Sequence, residues 1–169
     1  PMYEYCVANN HTLISTVLWY GSTTKQWSAT DTMDYFIRKY NPTVVIFVIG
    51  LNELFVRDLD NRKIYIDNII GRFKKFDINF FWVGPAAWTK DKGVIKIMQE
   101  EVGTNFYPSH LLTLARADDN RHPSRRAARI WTDSVAVCMT KIRKINFSKK
   151  ARGSSKFKET PFIILAQPK

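Results

Sequence analysis

Cysteine is scarce in this chain: two in 169 residues, Cys6 and Cys138, without metal-ligand spacing. That excludes a disulfide framework and a zinc-finger type of scaffold. The pair reads as two buried free thiols, with a single bridge as the alternative. Long apolar runs are missing too, since no stretch approaches the roughly 20 residues that a membrane-spanning helix needs, so no membrane partner is expected. Glycine and proline, seven each, are too few for a collagen-like or low-complexity chain. No secretory signal pattern opens the sequence, which starts at Pro1 and reads as a processed or excised piece. Acidic residues number 15 against 26 basic ones, for a formal net charge of +11. Much of that excess is local. Lys141, Arg143, Lys144, Lys149, Lys150, Arg152, Lys156 and Lys158 occur without an intervening acid, a pattern suited to phosphates, acidic glycans, anionic lipid heads or a simply solvated tail.

What is present is a core. Hydrophobic residues make up 45% and aromatics 14%, enough to exclude disorder, and the length suits one domain burying about two-thirds of its unfolded surface. Leu13 to Trp19 is β-branched and aromatic and stops at Tyr20-Gly21-Ser22, which predicts a strand and then a loop. Asp31 can cap a helix with Met33, Phe36, Ile37 and Tyr40 on one face, ended by Asn41-Pro42. Thr43 to Ile49 is apolar almost throughout, as expected of a strand covered on both faces. A helix from about Asn61 to Lys75 should turn Ile66, Ile69, Ile70 and Phe73 inward, with Gly71 costing about 1 kcal/mol relative to Ala. Ile78–Val83 reads as the next strand, Val94–Val102 as a short helix and Asn105–Tyr107 as a short strand. After Pro123 a helix should run to about Ile145, with Ala127, Ile130, Trp131, Val135 and Cys138 or Met139 inward. Residues 1–145 form one domain in this reading. Residues 146–169 form a basic linker and a possible extra strand at Phe162–Ala166.

Strands alternating with helices predict an α/β domain with a mainly parallel sheet, whose working residues stand on loops at the carboxyl ends of the strands. Gly21, Asn52, Gly84 and Trp88 all fall at such ends. Acyl transfer needs a nucleophile, a base, a group that orients the base, and donors aimed at the oxyanion. His122 is the best base among three histidines, and Asp119, three positions earlier, can hold its imidazole. Asn52 offers a side-chain amide at a strand end, and Gly21 a backbone N–H where a side chain would obstruct substrate. Trp27 and Trp88 are candidate walls for a sugar face, and Arg121, with Arg125 and Arg126, for an anionic group. Each taken alone has a plainer account, as a helix-entry loop, a turn, a core aromatic or a solvated arginine.

In this order the residues resemble the SGNH (GDSL-like) hydrolase family, a likeness covering residues 1 to about 140. Tyr20-Gly21-Ser22-Thr23-Thr24 matches its second block and Gly50-Leu51-Asn52-Glu53 its third, with Glu53 in place of the usual aspartate. Asp119 to His122, with the trailing Pro123, matches its fifth. Asn52 to Asp58 and Trp82-Val83-Gly84-Pro85 look like a bacterial, Bacteroidetes-type subgroup. The resemblance implies a flavodoxin-like three-layer α/β/α fold and hydrolysis of esters, often acyl groups on carbohydrates. It implies no metal or other cofactor, and an extracytoplasmic location. By carry-over, Gly21 and Asn52 are oxyanion donors while Asp119 and His122 serve the serine, their loops converging on one pocket.

The first block is the departure. Family members begin with a strand ending in Gly-Asp-Ser, whereas Pro1 to Cys6 looks like the helix that follows that serine. The motif is expected just upstream of residue 1, or its strand is replaced by Phe162–Ala166 in a permuted arrangement. Ser22 and Ser124 lie near the expected site, but family geometry gives neither the nucleophile's place. The sequence thus predicts a serine esterase or deacetylase of acylated saccharides without its nucleophile block. The rivals are a catalytically inactive glycan-binding module and, last, a basic nucleic-acid binder.

Overall fold

The computed structural model describes residues 1–143, 145–149 and 161–165. In chain order the elements are α1 (Met2–Ala8), β1 (Thr16–Trp19), α2 (Thr24–Ala29), α3 (Thr32–Tyr40) and β2 (Val44–Val48). They continue with α4 (Leu59–Lys75), β3 (Asn79–Val83), α5 (Val94–Val102), β4 (Phe106–Tyr107), α6 (Arg125–Arg143) and β5 (Phe162–Leu165). Single 3-10 turns stand at Leu51–Glu53, Gly103–Asn105 and Ser109–Leu111. This is a mixed α/β architecture in which β2, β3 and β4 run parallel. The chain divides into two compact units. One joins Pro1–Leu18 to the described part of Leu112–Leu165, and the other is Trp19–Leu111.

The second unit is built on the sheet β2-β3-β4, registered Val44 on Asn79 through Val48 on Val83, and Trp82 on Phe106. Helix α4 presents Ile66, Ile69, Ile70 and Phe73, the stripe expected from the 3.6-residue period, and all four are buried. Phe47 is the hinge of the core. It meets Trp82 edge-on at 4.9 Å between ring centroids, Trp27 at 5.5 Å and Phe73 at 6.0 Å. Such edge-to-face pairs add about 0.5–1.5 kcal/mol beyond the area they bury. Two expectations need correcting here. β2 is not covered on both faces: Phe47 is its one buried residue and Val48 is 55% exposed. Among the described residues β2 pairs with β3 alone, so it has the exposure of an edge strand. Asp31 stands at the N-cap of α3 without a side-chain capping bond, while Asn41 ends the helix in the left-handed conformation at φ 42°.

The first unit ties early residues to late ones. β1 pairs with β5, and Thr16 N–H donates to Pro161 O at 2.9 Å. The predicted strand from Leu13 is shorter in fact, because a strand extends only as far as a partner supplies carbonyls and N–H groups. Tyr5 Oη donates to Asp133 Oδ1 at 2.7 Å, joining α1 to α6, and Arg129 meets Glu4 at 3.2 Å. On α6, Ala127, Val135 and Met139 are buried as predicted, with Trp131 and Cys138 half-buried. Ile130 is 53% exposed, contrary to expectation, because the buried stripe follows Ala127, Trp131, Val135 and Met139 at four-residue steps. Both cysteines are free, Cys6 buried and Cys138 half-buried. Most of the basic run, Lys144 and Lys150–Lys158, lies outside the described residues. No helix among the described residues is long and apolar enough to cross a membrane.

Candidate functional site

Asp119 and His122 belong to the first unit, on a loop closed like a hairpin. Ala117 N–H donates to His122 O at 2.8 Å, Ser124 N–H to Ala115 O at 2.8 Å, and Asn120 N–H to Ala117 O at 2.9 Å. Asn120 takes the positive φ (56°) that the tight turn demands and that asparagine tolerates. Inside this loop Asp119 Oδ1 accepts from the backbone N–H groups of Arg121 and His122, each at 2.9 Å, and Oδ2 bonds His122 Nδ1. The His122 hydrogen bond, followed by those two N–H groups, holds the Asp119 carboxyl well below the usual carboxylate range. An ionised carboxylate only accepts, so Nδ1 carries the proton and Nε2 of the neutral ring is left as the acceptor. The His122 side chain is 65% exposed. This is the tautomer and orientation a general base requires.

Ser124, next in the chain, is not spare: its Oγ accepts from Ala127 N–H at 3.2 Å and caps α6. Arg121 is exposed on the same loop, and its carbonyl accepts from Arg116 at 3.1 Å.

Gly21 and Asn52 belong to the second unit and are brought within a residue of each other, since Asn52 Nδ2 donates to Ser22 O at 3.0 Å. An amide nitrogen carries two protons, which leaves one on the exposed Asn52 for another acceptor. Gly21 sits at φ 66°, in the left-handed region that favours glycine, and its N–H has no partner among the described residues. Ser22 is buried, its Oγ accepting from the Trp27 indole at 3.1 Å.

Glu53 anchors this loop. It is fully buried and accepts from Thr24 N–H at 2.9 Å, Thr24 Oγ1 at 2.6 Å and Arg62 at 2.8 Å. Removing one partner of such a buried pair costs about 3–5 kcal/mol, so the glutamate has a structural reason of its own for holding Thr24 and Asn52 in place. Gly50, just ahead, adopts φ 114°, and a Cβ there would meet Met98 at 2.9 Å. The turn is therefore both left-handed and closely packed.

Trp27, expected as a substrate wall, faces the core. It is 8% exposed and packs against Trp19 at 5.2 Å, being part of α2. Helix α2 was missed in the sequence, although Thr23-Thr24-Lys25-Gln26 spells a capping box, and Thr23 N–H indeed donates to Gln26 Oε1 at 2.9 Å. Trp88, on the loop after β3, is half-buried and meets Phe55 edge-on at 5.7 Å. Phe55, which sequence reasoning passed over, is 60% exposed. Among the described residues no group of three or more His, Cys, Asp or Glu side chains is placed to hold a metal ion.

No protein-family model matches the chain, and no curated protein or solved structure matches it significantly.

Proposed function

We propose that this chain is a serine ester hydrolase of SGNH type, with the family's flavodoxin-like three-layer fold, acting on acylated carbohydrates outside the cytoplasm. The observation that carries the reading is the Asp119–His122 pair, in which the carboxylate, fixed by two backbone N–H groups, fixes the ring in turn. His122 Nε2 takes the proton of the attacking serine hydroxyl and later that of a water. Asp119 stabilises the imidazolium, and the Gly21 N–H and the second Asn52 amide proton stabilise the tetrahedral intermediate. The parallel sheet supports the same reading, because Asn52 follows the carboxyl end of β2.

The nucleophile is the open member of this mechanism. Ser22 and Ser124 are engaged as the acceptor of Trp27 and as the cap of α6. That engagement favours a second reading, a glycan-binding module that keeps the fold without turnover.

The test is hydrolysis of p-nitrophenyl acetate by the chain carrying a strand ending in Gly-Asp-Ser ahead of Pro1. Turnover should rise at least about 10³-fold over the unextended chain and fall by about 10²–10⁴-fold on His122→Ala. Saccharide binding that persists in His122→Ala, with no turnover in either form, would replace the enzyme by the module.

A further inference from the structure

We propose that Phe55 and Trp88 form the two walls of a sugar-binding ledge beside Asn52, taking the C–H face of a pyranose whose hydroxyls are equatorial. The proposal rests on the acyl-saccharide reading above for the group that reacts, and specifies what holds the sugar. Phe55 stands three positions after Asn52, directly behind the 3-10 turn that carries the amide. Its ring is set at 67° to that of Trp88, with 5.7 Å between centroids, so the two rings make a corner instead of a stack.

The corner is held by backbone. Lys92 N–H donates to Leu54 O at 2.9 Å, binding the loop after β3 to the turn after β2. Asp91 Oδ1 accepts from Gly93 N–H at 2.7 Å and Ile95 N–H at 3.1 Å, which pins that loop to the start of α5. Both rings therefore stand on the same end of the parallel sheet as Asn52.

Magnitudes select the occupant. Burying a phenylalanine side chain fully gains about 1.5–3 kcal/mol, and the fold leaves most of that gain unused at Phe55. Two aromatic side chains of about 150–250 Å² each fall short of the roughly 800 Å² per partner of a stable protein interface. They match a single sugar ring, whose axial C–H groups lie on one aromatic face while its edge meets the other ring and its hydroxyls reach Asn52 and water.

The experiment titrates xylohexaose into the full chain and follows the Trp88 indole N–H and the Phe55 ring by NMR. Both signals should shift with saturation, and Phe55→Ala and Trp88→Ala should each weaken binding at least tenfold. Tyr35→Ala, removing another exposed aromatic of the same unit, should leave the affinity unchanged. Phe55 is exposed, so its replacement does not endanger folding. Affinity unaltered in Phe55→Ala overturns the ledge, as do shifts produced by monobutyrin and absent with xylohexaose, which would give the corner to the acyl chain. Failure of the hydrolase reading shows separately, as absent p-nitrophenyl acetate turnover in the extended chain.

Discussion

Asp119 carries three hydrogen bonds on an exposed carboxyl, and its ionisation reports whether the loop around His122 is formed. Its folded-state value is depressed, so the stability it contributes is present above the ordinary aspartate range near 3.9. That contribution is lost as pH falls through the lowered value. A carboxyl ¹³C titration should therefore find Asp119 still ionised well below the ordinary aspartate value of about 3.9. His122→Ala removes the largest of the three causes and should bring Asp119 back toward the common range. A titration curve unchanged in that variant would show that the imidazole does not face the carboxylate. Side-chain type alone revealed this pair, because an Asp-x-x-His loop has few ways to arrange both groups. It did not reveal that Trp27 is interior and Phe55 exterior. Both are aromatics beside loops, and which one the fold covers depends on Trp19, Phe47 and Ser22, residues remote in the chain or silent in its pattern.

At the level of elements, α4 and α5 were legible as spans because an amphipathic stripe writes burial into the sequence, and the buried residues of α4 fall on the predicted positions. β2 and β3 were legible as apolar runs for the same reason. α2 was not, since six residues carry too little periodicity and only its capping box announces it. Strand coverage was not either, because exposure of an edge is decided by the neighbour a strand finds. Helix α4 also offers a clean change. Gly71 lies in its interior on the exposed side, and a Cβ there would meet nothing within 4 Å. Gly71→Ala should stabilise the second unit by about 1 kcal/mol, read as a raised urea midpoint at constant m-value. A neutral or destabilising result would mean that the helix is distorted at this point.

For the molecule as a whole, the bonds of the first unit reach across most of the sequence, as Tyr5–Asp133 and Asn9–Lys149 show. Burial, then the hydrogen bond to Asp133 and its charge, push the Tyr5 phenol up to about 12. A raised value means that the folded form keeps a proton which the unfolded chain loses near pH 10. The contribution is thus whole below pH 10 and disappears as pH rises through about 12. Ultraviolet titration should show one tyrosine ionising in that late window, and Tyr5→Phe should delete that step alone. A late step that survives in Tyr5→Phe would assign it to another ring.

The long span of these bonds also governs synthesis. Tyr5 leaves the ribosome 128 positions before Asp133, an interval of roughly 6–26 s at 5–20 residues per second. Residues 19–111 can collapse meanwhile into a unit of their own, while the first helix waits with its apolar side uncovered. A nascent chain stalled before α6 emerges should therefore be a client for holdase chaperones, and release from them should coincide with emergence of α6.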